Sequence, residues 1–334
     1  MEVKLQKWFT AKPLIVVLTL FISLLSFGQT HSSCQIIFQK IQDQAWKKDS
    51  RPLSYTEKDL KGYLQTGLIT HHELVGGHGI SRAQYVTYQN GTMGIWKRDV
   101  YEHDHHVIEG GKAEIMAYKV DRFLGLMKVP TTVYRDLKGV PGTVQILVGY
   151  LKEEVLQGNP TELVLFDDLI GNFDRHNENY LVTKDNRVIA IDNGNAGASV
   201  NKGMTKFKVN KLIESYEKSQ NLLKLEEKML TENTEGYSPK ELDESRKIIH
   251  SQRNEFKSKT LQDMKTLIGK KSIYLKLKET SDQEWTDFLK SELTDRQIHF
   301  FIERRQSILN AIEKARSVFG DEVFEKELPH QHSN

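Results

Sequence analysis

Two short apolar segments near the middle of the chain limit the folds that this sequence can adopt. Residues 180–183 and 188–191 have the length and composition of strands, and the polar residues between them favour a turn. Asp174 and Asn179 precede the first segment, and Asp192 directly follows the second. A hairpin of these two segments would bring the three polar side chains to one end of the pair, where their oxygens could act together.

Carboxylate and amide oxygens in this arrangement suit phosphoryl transfer. That chemistry requires a carboxylate that orients the attacking hydroxyl, and oxygen ligands that hold a divalent metal ion against nucleotide phosphates. We therefore predict that Asp174 is the catalytic base and that Asn179 and Asp192 bind the metal. A surface loop and a tight Asp-Asn-Gly turn are the alternative interpretations of the two motifs taken singly.

The whole segment resembles the catalytic and metal-binding loops of the kinase-like superfamily. Asp174, Arg175 and His176 are followed by Asn179, an apolar strand, a polar turn and Ile-Asp-Asn-Gly at 191–194. This order is most similar to the atypical members: phosphatidylinositol 3- and 4-kinases, actin-fragmin kinase, HipA-type kinases, and the four-jointed and Golgi casein kinases of the secretory pathway. The resemblance implies ATP as phosphate donor and Mg²⁺ or Mn²⁺ as cofactor.

The same resemblance implies a lysine for the phosphates and a helix glutamate to hold it, and both occur upstream in the expected order. Lys97 lies near the end of a predicted strand, and Glu114 lies near the start of a helix predicted over 113–124. An ion pair between them would fix the ammonium beside phosphate oxygens. A solvated strand end and a carboxylate that favours a helix N-terminus are the alternatives. Residues 113–130 are particularly similar to the secretory-pathway kinases.

A glycine cluster at 76–82 directly precedes the strand predicted over 83–88, and we expect strands on both sides of it. Its backbone amides could approach nucleotide phosphates, and we assign Gly77, Gly79 and Ser81 to the nucleotide site for this reason. The spacing departs from the protein-kinase pattern, so a glycine-rich hairpin turn is the alternative. Position alone assigns residues 145–149 to the hinge strand whose backbone would meet adenine.

The order of predicted elements indicates an α+β, two-lobed protein-kinase-like fold. A small strand-rich N-lobe with one helix is expected over 74–150, after a lead-in at 30–73 whose part from residue 51 onward is a short helix or loop. Helical periodicity dominates the larger C-lobe, expected over 151–330. The predicted strands of the N-lobe are 83–88, 93–98, 129–134 and 143–150, and the first two flank an Asn-Gly turn.

Residues 1–29 have the order of a secretory signal peptide. Lys4, Lys7 and Lys12 precede an apolar run at 14–25, and small or polar residues follow it. The run is shorter than the roughly 20 apolar residues of a membrane span. We therefore expect export to a secreted, periplasmic or luminal location, with no stable transmembrane span after processing. A core helix or a short membrane anchor is the alternative.

Charge excludes one class of partner and leaves the acceptor open. The formal net charge is +2, with 47 Lys and Arg against 45 Asp and Glu, so no global field favours nucleic acid. We expect ATP and a hydroxyl-bearing acceptor, a protein rather than an inositide, because residues 193–199 after Asp192 are small and neutral. A lipid or small-molecule kinase and a nucleotide-binding pseudokinase or scaffold are the alternatives.

Two further features are interpreted as lacking a role in the chemistry. Cys34 is the single cysteine, so the chain cannot form an intramolecular disulfide. Residues 103–106, His-Asp-His-His, could suggest a transition-metal site, but adjacent histidines rarely converge on one ion. A polar loop before the helix is the interpretation we adopt.

Overall fold

The computed structural model describes residues 56–75, 83–99, 101–103, 106–108, 110–148, 161–182, 187–199, 203–232 and 237–326, all within a unit that begins at Thr56. For 101–103 and 106–108 only the backbone is described. The predicted signal peptide, Cys34, Gly77, Gly79 and Ser81 lie outside the described residues.

The described elements follow an order in which strands come first and helices later. They are α1 Glu57–Thr66, β1 Ile69–Leu74, β2 Gln84–Tyr88, β3 Met93–Arg98, β4 Tyr101–His103, β5 His106–Ile108, α2 Gly110–Leu124, β6 Thr132–Tyr134, β7 Gly142–Ile146, α3 Thr161–Ile170, β8 Tyr180–Val182, β9 Val188–Ala190, α4 Met204–Glu232, α5 Pro239–Ile268, α6 Lys271–Glu279, α7 Asp282–Leu289 and α8 Asp295–Phe319, followed by a 3₁₀ turn Gly320–Val323.

A five-stranded antiparallel sheet, in the order β1-β2-β3-β7-β6, forms the small lobe. Alternation along the central strands turns Val86, Trp96 and Val144 to one buried face. Helix α1 covers this face through Leu64, which is fully buried. Tyr88 donates a hydrogen bond from its hydroxyl to the Leu64 carbonyl at 2.6 Å, so the helix end is tied to the second strand.

Helix α2 contributes to the core of the large lobe although it lies in the chain between strands of the sheet. Apolar side chains around most of its circumference are buried in the same cluster as those of α3, α5 and α8. A helix that is apolar nearly all round must be covered on most sides. It also contacts strands β3, β6 and β7, so it lies between the sheet and the helices of the large lobe. The core of that lobe includes Trp285 and Phe301, whose ring centroids lie 4.9 Å apart.

The secondary structure confirms most of the predicted elements, with displaced ends. Helix α2 begins at Gly110 instead of 113, and the strand predicted over 129–134 begins at Thr132, after Pro130, which has no N–H for the ladder. The strand predicted over 143–150 ends at Ile146. Helix α1 and most of strand β1 lie between residues 51 and 73, for which the sequence predicted a short helix or loop. None of the described helices combines the length and apolar character that a membrane span requires.

Gly171 ends α3 with a left-handed backbone, φ 68°, against the Arg304 guanidinium. A Cβ added there would lie 2.8 Å from the Arg304 Cζ, whereas at Gly139, φ 78°, it would meet no atom within 4 Å. Gly139→Ala should reduce the free energy of unfolding by roughly 1–2 kcal/mol, the cost of a left-handed L-residue. Gly171→Ala adds the steric overlap, and we expect a clearly larger loss in urea denaturation. Equal losses in the two variants would contradict this account.

Candidate active site

Lys97 of β3 and Glu114 of α2 form an ion pair that joins the sheet to this helix. The Lys97 Nζ donates to Glu114 Oε1 at 2.6 Å, and the Glu114 side chain is only 2% exposed. Strand β3 pairs with β2 and β7, and α2 is fixed in the large core, so both partners stand on rigid elements. The ion pair that the resemblance implied is present in the structure.

Asp192 is the second partner of the same lysine. The Lys97 Nζ donates to Asp192 Oδ1 at 2.8 Å, while the Asp192 side chain stays 56% exposed. Partial burial would raise the pKa of Asp192, but the Lys97 ammonium more than offsets it and lowers the pKa. Burial would likewise lower the pKa of Lys97, and the carboxylates of Glu114 and Asp192 raise it instead. Lys97 and Asp192 are therefore both charged near neutral pH.

Asn193 connects Glu114 to the large lobe. Its backbone N–H donates to Glu114 Oε1 at 3.1 Å, and its Nδ2 donates to Oε2 at 3.4 Å. The residue is fully buried. Asp192, immediately before it, has a left-handed backbone with φ 54°, a conformation that costs a non-glycine residue free energy. The buried anchor at Asn193 supports the strained turn that presents the Asp192 carboxylate to solvent.

Arg175 organises the polar loop between α3 and β8. Its guanidinium binds the carboxylate of Asp167 in α3, with Nη2 to Oδ1 at 2.8 Å. It also donates to the Ile191 carbonyl at 2.6 Å, to Asn193 Oδ1 at 2.6 Å, and to the Asn179 carbonyl. Burial raises the pKa of Asp167, and Arg175 only partly opposes that shift. One buried arginine thus joins the end of α3, the loop and the residues after β9.

Asp174 projects from this loop with an exposed side chain. Its backbone carbonyl accepts from Asn179 Nδ2 at 2.7 Å and from the His176 N–H at 3.0 Å. Its carboxylate Oδ2 accepts from Asn195 Nδ2 at 2.9 Å. The loop is therefore held by its own amides while one carboxylate faces solvent, an accessible position for an incoming hydroxyl group.

The donor set fits a divalent cation held jointly with phosphates. The Asn179 nitrogen is committed to Asp174, so Oδ1 is the atom that this side chain could offer to a metal. The Ile191 N–H donates to the Asn179 carbonyl at 3.1 Å, which aligns that residue with the end of β9 beside Asp192. Mg²⁺ typically takes one or two protein oxygens and completes its shell with phosphate and water. Among the described residues, no group of three or more His, Cys, Asp or Glu side chains is arranged to hold a metal ion by itself.

The structure thus brings five of the eight residues predicted for the site into one network of direct or shared contacts: Lys97, Glu114, Asp174, Asn179 and Asp192. Their roles stay predictions. Gly77, Gly79 and Ser81 lie outside the described residues, and the flanking strands β1 and β2 confirm only that their segment connects two strands. Strand β7 reaches Ile146, so it contains the start of the predicted hinge, while 149 lies outside the described part.

Sequence reasoning missed the supporting residues. Asp167, Arg175, Asn193 and Asn195 were given no role, although three of them lie within the two motifs or directly after them. The polar Asp167 within the apolar stretch 163–170 was a usable signal, because a buried carboxylate requires a partner.

Three solved structures match most of this chain at low sequence identity. The Golgi casein kinase with Mn/ADP bound is 15% identical, with 79% of this chain and 77% of that chain covered and a TM-score of 0.45. Hydra Fam20 with sugar is 13% identical over 86% and 97%, with a TM-score of 0.49. The Helicobacter pylori proinflammatory kinase CtkA is 13% identical over 73% and 97%, with a TM-score of 0.37.

No protein-family model and no curated protein matches the chain. The sheet-based small lobe and the mainly helical large lobe confirm the predicted two-lobed α+β fold.

Proposed function

We propose that this chain is an ATP-dependent phosphotransferase that moves the γ-phosphate to a hydroxyl acceptor. The observation that carries the proposal is the largely buried Lys97, which lies between the carboxylates of Glu114 and Asp192. A lysine fixed by one buried carboxylate, next to a second carboxylate that is open to solvent, suits the binding of a metal-bound nucleotide.

Each side chain has a role that follows from its partners. Glu114 holds the Lys97 ammonium, and an ammonium has three donors, of which Glu114 and Asp192 use two. The third can bind a phosphate oxygen. Asn179 and Asp192 would hold Mg²⁺ or Mn²⁺, which would supply charge neutralisation at the phosphates. Asp174 would orient the acceptor hydroxyl and accept its proton.

A protein acceptor is the further part of the proposal. Residues 193–199, which follow Asp192 at the open side of the site, include no lysine or arginine. An inositide headgroup carries several negative charges and would need cations there. A serine or threonine side chain needs none, which favours protein over inositide as the acceptor.

The test is transfer of the γ-phosphate from labelled ATP by the full chain, with Mg²⁺ and then Mn²⁺. The acceptors are the protein itself, casein and an inositide mixture, and Asp174→Asn is the control. We expect label on protein that the control lacks. Label on lipid alone would overturn the acceptor assignment. No transfer, together with no shift of the melting temperature on adding ATP and metal, would overturn the proposed function.

A further inference from the structure

We propose that Asn195 is a positioning residue for Asp174, and that the proposed phosphotransfer depends on the hydrogen bond between their side chains. The inference rests on the proposed function and adds a residue to its machinery. Asn195 Nδ2 lies 2.9 Å from Asp174 Oδ2, and both side chains are exposed to solvent.

The carboxylate of Asp174 is otherwise oriented only indirectly. The Asp174 N–H donates to Asn172 Oδ1, and its carbonyl accepts from His176 and Asn179. These bonds fix the main chain of Asp174. They leave rotation of the side chain open. Asn195 is the residue whose described hydrogen bond reaches the carboxylate itself, so it selects one rotamer of the group that must meet the acceptor.

The backbone on either side of Asn195 is held in place, although its side chain is exposed. Asn193 is buried between Glu114 and Arg175, and the Ala196 N–H donates to the Asn193 carbonyl at 2.9 Å. The Gly197 N–H donates to the Ile170 carbonyl at 2.7 Å. A turn fixed at both ends to the catalytic loop and its helix presents Asn195, so the bond to Asp174 costs little additional ordering.

A neutral amide is a suitable donor for this purpose. It occupies Oδ2 and leaves Oδ1 to accept the hydrogen of an incoming hydroxyl group. A lysine at this position would bind more strongly but would form an ion pair with the carboxylate. The amide therefore orients the group without neutralising it.

Two substitutions test the role in the transfer assay. Asn195→Ala should lower kcat about tenfold to a hundredfold and leave the KM for ATP unchanged, because the reacting carboxylate loses its orientation while nucleotide contacts persist. Asn195→Asp keeps the size of the side chain but replaces the donor with a second carboxylate, so kcat should fall at least as far as in Asn195→Ala. Asn177→Ala, at an exposed asparagine of the same loop, is the control and should match wild type.

A measurement without turnover separates this inference from the proposed function. Three-bond couplings of the Asp174 carboxyl carbon, measured by NMR without nucleotide, report the χ1 rotamer of this side chain. One rotamer is expected in the wild type and an average over several in Asn195→Ala. Absence of transfer by the wild type would overturn the proposed function whatever the couplings show. An active wild type with full kcat in Asn195→Ala, or a single Asp174 rotamer retained in Asn195→Ala, would overturn the role of Asn195.

Discussion

An Asp192→Asn variant is expected to lose ATP-dependent metal binding and to transfer phosphate at least about a thousandfold more slowly than wild type. The amide has the size of the carboxylate but lacks the charge that attracts a divalent cation. Asparagine also tolerates the left-handed backbone found at this position, φ 54°, so the turn should persist. Isothermal titration with ATP and MgCl₂, followed by the transfer assay, measures both losses.

Asp174→Asn is the matched control for that experiment, because it makes the same chemical change elsewhere in the site. Lys97, Glu114 and Asp192 keep their mutual contacts in this variant. We therefore expect nucleotide affinity within about twofold of wild type and a rate reduced by about 10²–10⁴, the contribution of a positioned base. Wild-type affinity for the metal-bound nucleotide in Asp192→Asn would contradict the assignment of Asp192 as a metal ligand.

An Arg175→Ala variant is expected to lose about 3–5 kcal/mol of unfolding free energy, the range for breaking a buried ion pair. The change leaves the Asp167 carboxylate, 4% exposed, without its cation, and removes a donor from the carbonyls of Asn179 and Ile191. Arg175→Lys keeps the charge but cannot reproduce the fork of donors, so an intermediate loss is expected. Urea denaturation followed by tryptophan fluorescence measures the three proteins.

The control for this prediction is an ion pair on the surface. Lys247 lies 2.6 Å from Asp243 on α5, and both side chains are more than 60% exposed. Lys247→Ala should change the unfolding free energy by no more than about 0.5 kcal/mol, because water screens such pairs. A loss below about 1 kcal/mol in Arg175→Ala would show that the guanidinium network does not hold the loop.

Much of the candidate site could be predicted because its residues lie next to strong local patterns. Asp192 follows a short apolar segment, and Lys97 lies in the second strand of a hairpin that an Asn-Gly turn makes recognisable. Glu114 lies on a helix whose apolar residues recur with helical spacing. These local patterns, together with the resemblance to kinase-like loops, led to the prediction of the three residues as one set, and the structure places them in contact.

The parts that were missed depend on contacts between distant residues. Arg175 and Asn193 are ordinary loop residues in the sequence, and their importance arises only when α3, the loop and β9 come together. Strand β1 was given no bounds because, as an edge strand with exposed Thr70 and His71 side by side, it lacks regular alternation. Helix α1 had a usable signal, the Thr56–Asp59 capping box.

The two hydrogen bonds from Asn193 to Glu114 limit how helix α2 can move. An outward swing of α2 would break both bonds and the Lys97 ion pair together, and would pull apolar side chains out of the core of the large lobe. Such a motion would lose these contacts together. The contacts that fix Lys97 and Glu114 are thus the chain's own, and control of the proposed activity would act on access to Asp174 rather than on the position of this helix.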